Sequence, residues 1–185
     1  PSGNFGNLTA GLMAKRMGMF VDRFIAATNR NDVVPAYLEH GIFTPRPSVQ
    51  TISNAMDVGN PSNFVRMQWL FENTVERMRK EITGARVSEE ETRQTMQEVF
   101  DQHHYILDPH GAVAYTALKS FLALHPNEHG IVFATAHPAK FQDVVEETIH
   151  SSVELPVELQ VCLKKESHSV KLPPTLTALK TWLCS

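Results

Sequence analysis

The chain of 185 residues is long enough for one sizeable hydrophobic core and short for two full domains. It is 42% hydrophobic and 20% charged, which indicates a globular rather than a disordered protein. A net charge of −3 with interspersed signs favours neither a nucleic-acid nor a membrane partner, and no apolar run approaches the ~20 residues of a membrane span. Cys162 and Cys184 form no zinc or disulfide spacing, so we expect a cytoplasmic protein without a metal site.

The N-terminal part of the chain is predicted to form a loop, a helix, a strand and a second helix. Glycines in the opening stretch GNFGN allow a tight turn, and apolar residues at helical spacing predict a helix over residues 8–18. The apolar run at residues 24–27 predicts a buried strand. Asn31 or Asp32 is the expected N-cap of the second helix.

The middle of the chain is predicted to be a long loop followed by two helices. A polar, proline-rich passage from Thr44 to Asn63 is long for a connection, which indicates a functional or partly structured segment. Apolar residues with steps of three and four then predict one amphipathic helix over residues 64–82. Ser88 and Glu91 have the spacing of a capping box, ahead of a helix that runs to about His103.

Strands and helices are predicted to alternate in the next part of the chain. Residues 105–107 and 131–133 are apolar and strand-like, and residues 108–111 are expected to form a turn. Helices are predicted over residues 112–124 and to about His150. This alternation predicts an α/β fold with an open, mostly parallel sheet flanked by helices.

The same pattern suggests a division of the chain. We place residues 1–150 in the α/β domain, with a helical and loop insertion at about 44–104. Residues 151–185 are predicted to form a helical tail.

The opening loop has the local chemistry of a phosphate site. Gly3 and Gly6 allow backbone N–H groups to turn inward without a Cβ in the way, and the following helix directs its positive dipole end to the same point. The pattern is neither a Walker loop nor a full dinucleotide fingerprint. From these residues alone, an ordinary connection between elements is the better interpretation.

Five stretches, in the same order along the chain, resemble the threonine synthase family. They are PSGNFGNLTAGLMAKRMG, RFIAATNRNDVVPAYLEHG, PRPSVQTISNAMDVGNPSN, YILDPHGAVAY and FATAHPAKF, and the resemblance is weaker beyond His150. It implies the incomplete, C-terminal part of a bacterial-type enzyme of fold type II that uses pyridoxal 5′-phosphate (PLP). The implied reaction is the last step of threonine biosynthesis, in which O-phosphohomoserine and water give L-threonine and phosphate.

The resemblance also implies roles for individual residues. The phosphate of PLP would be held by Gly3, Asn4, Phe5, Gly6 and Asn7. The pyridine nitrogen would meet Thr135, and the substrate side would include Asn54, Asp57, His110 and His137. From the residues alone, Thr135 is better explained as a cap and each histidine as a hydrogen-bonded structural residue.

The lysine that forms a Schiff base with PLP lies, in this family, in an upstream Phe-Lys-Asp segment. No such segment occurs in the chain, and Lys15, Lys80 and Lys119 have polar or charged neighbours. We therefore predict that the fragment contains no catalytic lysine and is inactive by itself.

Two other functions remain open from the sequence. Another fold type II lyase, acting on serine, threonine or cysteine derivatives, would keep the fold and change the reaction, although the SNAMDVGNPSN stretch argues against it. A non-catalytic module would use the loop to bind a phosphate or a nucleotide. Exposed sheet edges in such a fragment are expected to promote self-association.

Overall fold

Two parallel strands form the sheet of the computed structural model, which describes residues 1–184. Strand β1 (Phe24–Thr28) pairs with β2 (Ile82–Arg86), with Phe24 opposite Ile82 and Thr28 opposite Arg86. The predicted α/β class with a parallel sheet is therefore confirmed. No helix among residues 1–184 is both long and apolar enough to cross a membrane.

Helices make up most of the remaining ordered elements. Within residues 1–184 they are α1 (Gly6–Arg16), α2 (Val33–His40), α3 (Phe64–Leu70), α4 (Val75–Glu81), α5 (Glu89–His103), α6 (Pro109–Leu124), α7 (Gln142–Ile149), α8 (Val157–Leu163) and α9 (Leu176–Leu183). Short 3-10 helices lie at Asn54–Met56 and Pro138–Phe141. The chain divides into two compact units, with both strands and α1 to α7 in the first, Pro1–Val153, and α8 and α9 in the second.

Apolar clusters cover both faces of the sheet. Ala26 belongs to one cluster and Ala27 to the other, because successive side chains of a strand point to opposite faces. The larger cluster includes Phe5, Leu12, Val34, Phe64, Met67, Phe71, Met78 and Ile82. The smaller one joins Ala27 to Met56, Val87, Val113 and Ala117. The opening loop and the Asn54–Met56 turn thus each contribute one side chain to the core.

The predicted single helix over residues 64–82 is wrong. The chain forms α3 and α4, separated by a turn in which Glu72 and Asn73 have φ of 52° and 54°. Apolar residues keep their spacing across the break because both helices bury residues in the same cluster. The last predicted helical residue, Ile82, instead begins β2, a strand that the helical spacing conceals.

The strands predicted at residues 105–107 and 131–133 are also absent. Ile131 and Phe133 are 85% and 71% exposed, not buried. A strand requires a neighbour to pair with its N–H and C=O groups, and nothing between residues 1 and 184 pairs with either segment. The local apolar run is therefore not sufficient to form a strand here.

The start of α6 replaces the turn predicted at residues 108–111. Asp108 is the N-cap, and its carboxylate accepts hydrogen bonds from the N–H groups of His110 and Gly111 at 2.9 and 3.1 Å. Pro109 is tolerated because it occupies the first helical position, where no N–H is needed. The helix therefore begins three residues earlier than predicted.

Several other local predictions are confirmed. In the capping box of α5, the N–H of Glu91 donates to the Ser88 hydroxyl at 3.2 Å, and the N–H of Ser88 donates to the Glu91 carboxylate at 2.8 Å. Strand β1 extends one residue beyond the predicted end at Ala27. The second helix begins at Val33, directly after Asp32, which occupies the N-cap position as predicted. The Asp32 side chain makes no capping hydrogen bond, however, so the predicted side-chain cap does not form.

An ion pair joins the end of α1 to the end of α4. Both terminal nitrogens of Arg16 donate to the Glu81 carboxylate at 2.9 Å, and Lys15 Nζ lies 3.3 Å from it. Hydrogen bonding from Arg16 lowers the pKa of Glu81, against the opposing effect of its partial burial. The Arg16 guanidinium also stacks over the Phe71 ring at 5.0 Å.

We predict that Glu81→Gln lowers the free energy of unfolding at neutral pH by up to about 1 kcal/mol, the range of partly exposed ion pairs. The pKa of Glu81 is lower in the folded than in the unfolded state. Its contribution is therefore present above the unfolded-state pKa and is lost as the pH falls through the folded-state pKa. Chemical denaturation across this acidic range, with Glu76→Gln on the same helix as control, measures the effect; equal losses for both variants at neutral pH would contradict it.

Candidate functional site

The segment from Gly3 to Asn7, called here the opening loop, includes the first two residues of α1. The N–H of Ser2 donates to the carbonyl of Ala27 at 2.9 Å, so the chain enters the loop beside β1. Phe5 is the N-cap of α1, with a left-handed φ of 59°, and its side chain is only 1% exposed. Its carbonyl accepts bonds from the N–H and the hydroxyl of Thr9 at 3.0 and 2.7 Å. A buried ring and two hydrogen bonds thus fix the loop.

The backbone N–H groups of the opening loop are available to a ligand. Among residues 1–184, no acceptor lies opposite the N–H groups of Asn4, Phe5, Gly6 and Asn7. No acidic residue lies in the first turn of α1. Unpaired N–H groups and a positive helix dipole together favour an anion at this position.

The side chain of Asn7 closes the loop instead of extending away from it. Its Oδ1 accepts hydrogen bonds from the Ser2 hydroxyl at 2.7 Å and from the N–H of Leu8 at 2.8 Å. Its Nδ2 donates to the carbonyl of Pro1 at 2.6 Å. The polar atoms of Asn7 therefore hold the two ends of the loop together.

A segment far along the chain, residues 54–63, packs against the opening loop. A Cβ added to Gly3 would lie 2.6 Å from Met56 Cα and 2.9 Å from the Ala55 carbonyl oxygen, so only glycine fits. The Asn4 side chain accepts the N–H of Ser62 at 2.6 Å, and Asn63 donates to the Asn4 carbonyl at 3.0 Å. The 54–63 segment thus holds the loop at two points.

Asp57 lies in a network of polar side chains at the end of β1. Its carboxylate accepts the N–H and hydroxyl of Thr51 at 2.9 and 2.7 Å. The carboxamides of Asn29 and Asn31 donate to it at 2.9 and 3.1 Å. Neither asparagine is among the site residues predicted from the sequence, where Asn31 is only a possible helix cap. Two asparagines shortly after a predicted strand are nevertheless a usable signal, since polar site residues gather at the carboxyl ends of parallel strands.

His110 is buried in the first turn of α6, at 3% exposure. Its Nδ1 lies 2.6 Å from the Asp108 carboxylate, and its Nε2 accepts the N–H of Ala55 at 3.2 Å. Its ring packs against Phe141, with centroids 4.6 Å apart. Asn54, next to Ala55, is exposed.

Thr135 and His137 line an open cleft of about 520 Å³ beside Tyr105 and Ile106. Both side chains are exposed. The Thr135 hydroxyl has no hydrogen-bond partner within residues 1–184, whereas His137 Nδ1 accepts the N–H of Ala139 at 3.1 Å and so caps a 3-10 helix. The Thr135 hydroxyl is therefore free for a ligand.

The predicted site residues thus form two groups. Direct contacts connect the opening loop, the 54–63 segment and His110, whereas Thr135 and His137 share the cleft. No set of three or more His, Cys, Asp or Glu side chains in the described part of the chain is placed to hold a metal ion.

Comparison with known proteins gives consistent matches. A family profile described as "Threonine synthase, C-terminal" matches residues 111–183. Threonine synthase of Escherichia coli strain K12 is 46% identical over 180 residues, which is 97% of this chain and 41% of that protein. The chain therefore spans about two fifths of the length of this relative.

Solved structures give the same result. The crystal structure of threonine synthase from Escherichia coli matches with a TM-score of 0.88 and 43% identity, covering 100% of this chain and 42% of that one. A threonine synthase from Brucella melitensis, described as PLP-bound, matches with a TM-score of 0.85 and 29% identity, covering 99% and 44%. The fold type II architecture is thereby confirmed for this part of the chain.

We predict different effects for alanine at the two loop glycines. Gly3→Ala forces a Cβ into the backbone of the 54–63 segment and is expected to lower the free energy of unfolding by about 1–3 kcal/mol. Gly6→Ala places its Cβ 3.5 Å from Asn63 Nδ2, an ordinary contact, at a helical position where alanine is favoured. Thermal or chemical unfolding of both variants measures the difference. If Gly3→Ala is as stable as Gly6→Ala, the close backbone contact is not present in solution.

Proposed function

Since the chain belongs to the threonine synthase family, we propose that it is the C-terminal part of a bacterial-type, PLP-dependent lyase. The whole enzyme would convert O-phosphohomoserine and water into L-threonine and phosphate. The chain would contribute the phosphate site for the cofactor, the contact to its pyridine ring and part of the substrate wall.

The observation that carries this proposal is the run of unpaired N–H groups from Asn4 to Asn7 at the N-terminus of α1. A phosphate dianion supplies the acceptors that these groups lack, and no carboxylate in the first turn of α1 opposes it. The burial of Phe5 and the fit of Gly3 against the 54–63 segment hold this arrangement before a ligand arrives. Preorganised donors avoid the entropic cost of ordering a loop on binding.

We propose roles for the remaining residues from their unpaired polar groups and their exposure. When bound, PLP supplies the electron sink for the reaction. The free hydroxyl of Thr135 fits the pyridine nitrogen, since a neutral hydroxyl can hydrogen-bond there without imposing a charge. Asn54 and His137 are the exposed members of the proposed substrate side, whereas Asp57 and His110 would support it through hydrogen bonds to Thr51 and Ala55.

The catalytic lysine is proposed to lie outside this chain. No lysine in the described residues is buried, and Lys15 and Lys119 pair with Glu81 and Glu98 at 3.3 and 2.9 Å. A lysine that bonds a cofactor needs burial or a neighbouring positive charge that favours its neutral form. Hydrogen bonding to Glu98 instead raises the pKa of Lys119, and Lys15 lies beside the Glu81 carboxylate.

Other aspects of the proposal follow from the family. Residues 1–150 would be the C-terminal part of the PLP-binding domain, with an insertion at about 44–104, and residues 151–185 a helical tail. The substrate would be a small molecule in the cytoplasm, without nucleic acid or membrane partners, and the isolated chain would self-associate through exposed edges. The other lyase and the non-catalytic binding module are not favoured, because the matched proteins are threonine synthases.

The proposed activity is tested with this chain alone and joined to the N-terminal portion of the Escherichia coli relative. We expect threonine and phosphate to form from O-phosphohomoserine only in the joined protein with PLP. Activity of the chain alone would contradict the placement of the lysine. A folded, PLP-binding joined protein that acts on serine or threonine but not on O-phosphohomoserine would contradict the reaction.

The role of Thr135 is tested by two substitutions in the joined protein. Thr135→Ser keeps the hydroxyl and should preserve most of kcat, whereas Thr135→Val removes it and should lower kcat by about tenfold, as expected for the loss of one hydrogen bond to the cofactor ring. The absorbance spectrum of the bound cofactor reports the change at the ring directly. Equal kcat values and spectra for the two variants would exclude the contact.

A further inference from the structure

A buried aspartate–histidine pair connects the start of α6 to the 3-10 helix Asn54–Met56, which packs against the opening loop. The side chains of Asp108 and His110 are 2% and 4% exposed, and Asp108 Oδ2 lies 2.6 Å from His110 Nδ1. The same carboxylate caps α6 through the N–H groups of His110 and Gly111. Asp108 is therefore held in place by the helix that it caps.

The partners of His110 determine which ring nitrogen carries the proton. Nε2 accepts the backbone N–H of Ala55 at 3.2 Å, so Nε2 presents its lone pair. The proton then lies on Nδ1 and is donated to Asp108. The Asp108 carboxylate thus fixes both the tautomer and the orientation of the imidazole ring.

His110 contacts the 3-10 helix Asn54–Met56, and Gly3 of the opening loop packs against the same helix. The Ala55 carbonyl and Met56 Cα occupy the space where a Cβ of Gly3 would lie. Met56 is 3% exposed and belongs to the smaller core cluster, so its side chain is fixed as well. A displacement of Ala55 would therefore shift the backbone against which Gly3 packs.

We propose that His110 is a positioning residue for the cofactor phosphate, acting through Ala55 on the opening loop. In this role its ring does not touch the substrate or PLP. Asp108 fixes the tautomer, His110 accepts the Ala55 N–H, and the turn supports Gly3 so that the N–H groups of residues 4–7 keep their arrangement. The inference rests on the proposed function, since it specifies how that phosphate site is held.

Three substitutions separate this role from simple packing. His110→Gln retains an acceptor near the position of Nε2, whereas His110→Asn retains a donor toward Asp108 and loses the acceptor for Ala55. Asp108→Asn retains a helix cap but presents an N–H to Nδ1, which moves the ring proton to Nε2, opposite the Ala55 N–H. As a control, Thr95→Val removes a partly buried hydrogen bond to the Thr116 hydroxyl of α6, of 2.7 Å, away from the loop.

The readouts are PLP affinity by absorbance titration and the ³¹P NMR signal of the bound phosphate, both in the joined protein. We expect His110→Asn and Asp108→Asn to weaken PLP binding by about tenfold or more, the effect of one lost buried hydrogen bond, and to shift the phosphate signal. His110→Gln should restore most of the affinity, and Thr95→Val should leave both readouts unchanged. Wild-type affinity in both His110→Asn and Asp108→Asn would overturn the inference, as would equal losses in all four variants.

A measurement on the unsubstituted chain keeps the inference falsifiable if a variant does not fold. The ¹⁵N shifts of the His110 ring should place the proton on Nδ1, and the Ala55 amide should exchange slowly with solvent. A proton on Nε2, or exchange of Ala55 as fast as that of an unbonded exposed amide, would overturn the inference. If the unsubstituted joined protein does not bind PLP at all, the proposed function itself fails, a result distinct from these.

Discussion

The close contact between Gly3 and the Ala55–Met56 turn is the constraint on which the candidate site depends. The two backbones approach so closely that a single added Cβ would lie 2.6 Å from Met56 Cα. The contact joins the opening loop to a segment more than fifty residues away along the chain. Both segments therefore belong to the same candidate site. Asn4 reinforces the contact through Ser62 and Asn63, so the loop is held from both sides.

Both faces of the sheet contribute to this contact. Phe5 anchors the loop in the larger cluster, and Met56 anchors the turn in the smaller one. Ala26 and Ala27 of β1 point to opposite faces, so the strand packs against both clusters. The unpaired N–H groups of the loop are therefore held in position by packing against both core clusters. A preorganised binding site for an anion requires such support.

Local signals in the sequence predicted the local structure well, and long-range contacts account for what they missed. The Ser88–Glu91 capping box, β1 and the loop before α1 follow from residues a few positions apart. Strand β2 was missed because the helical spacing continues into Ile82, and because its pairing with β1 cannot be recognised from the spacing of its own residues. The segments at 105–107 and 131–133 show the converse, since an apolar run without a neighbour forms no strand. The contacts of Gly3 with Met56 and of His110 with Ala55 each join residues more than fifty positions apart, which no periodicity reveals.

The most direct test of the central claim is an NMR titration of this chain with inorganic phosphate and with PLP, following every backbone amide. The account predicts that the amides of residues 4–7 shift together and saturably with either ligand. A second cleft, of about 960 Å³, is lined by Arg46, Arg79 and Arg86 and offers the competing location for an anion. If the largest shifts arise around those arginines while the opening loop is unaffected, the assignment of the phosphate site is contradicted.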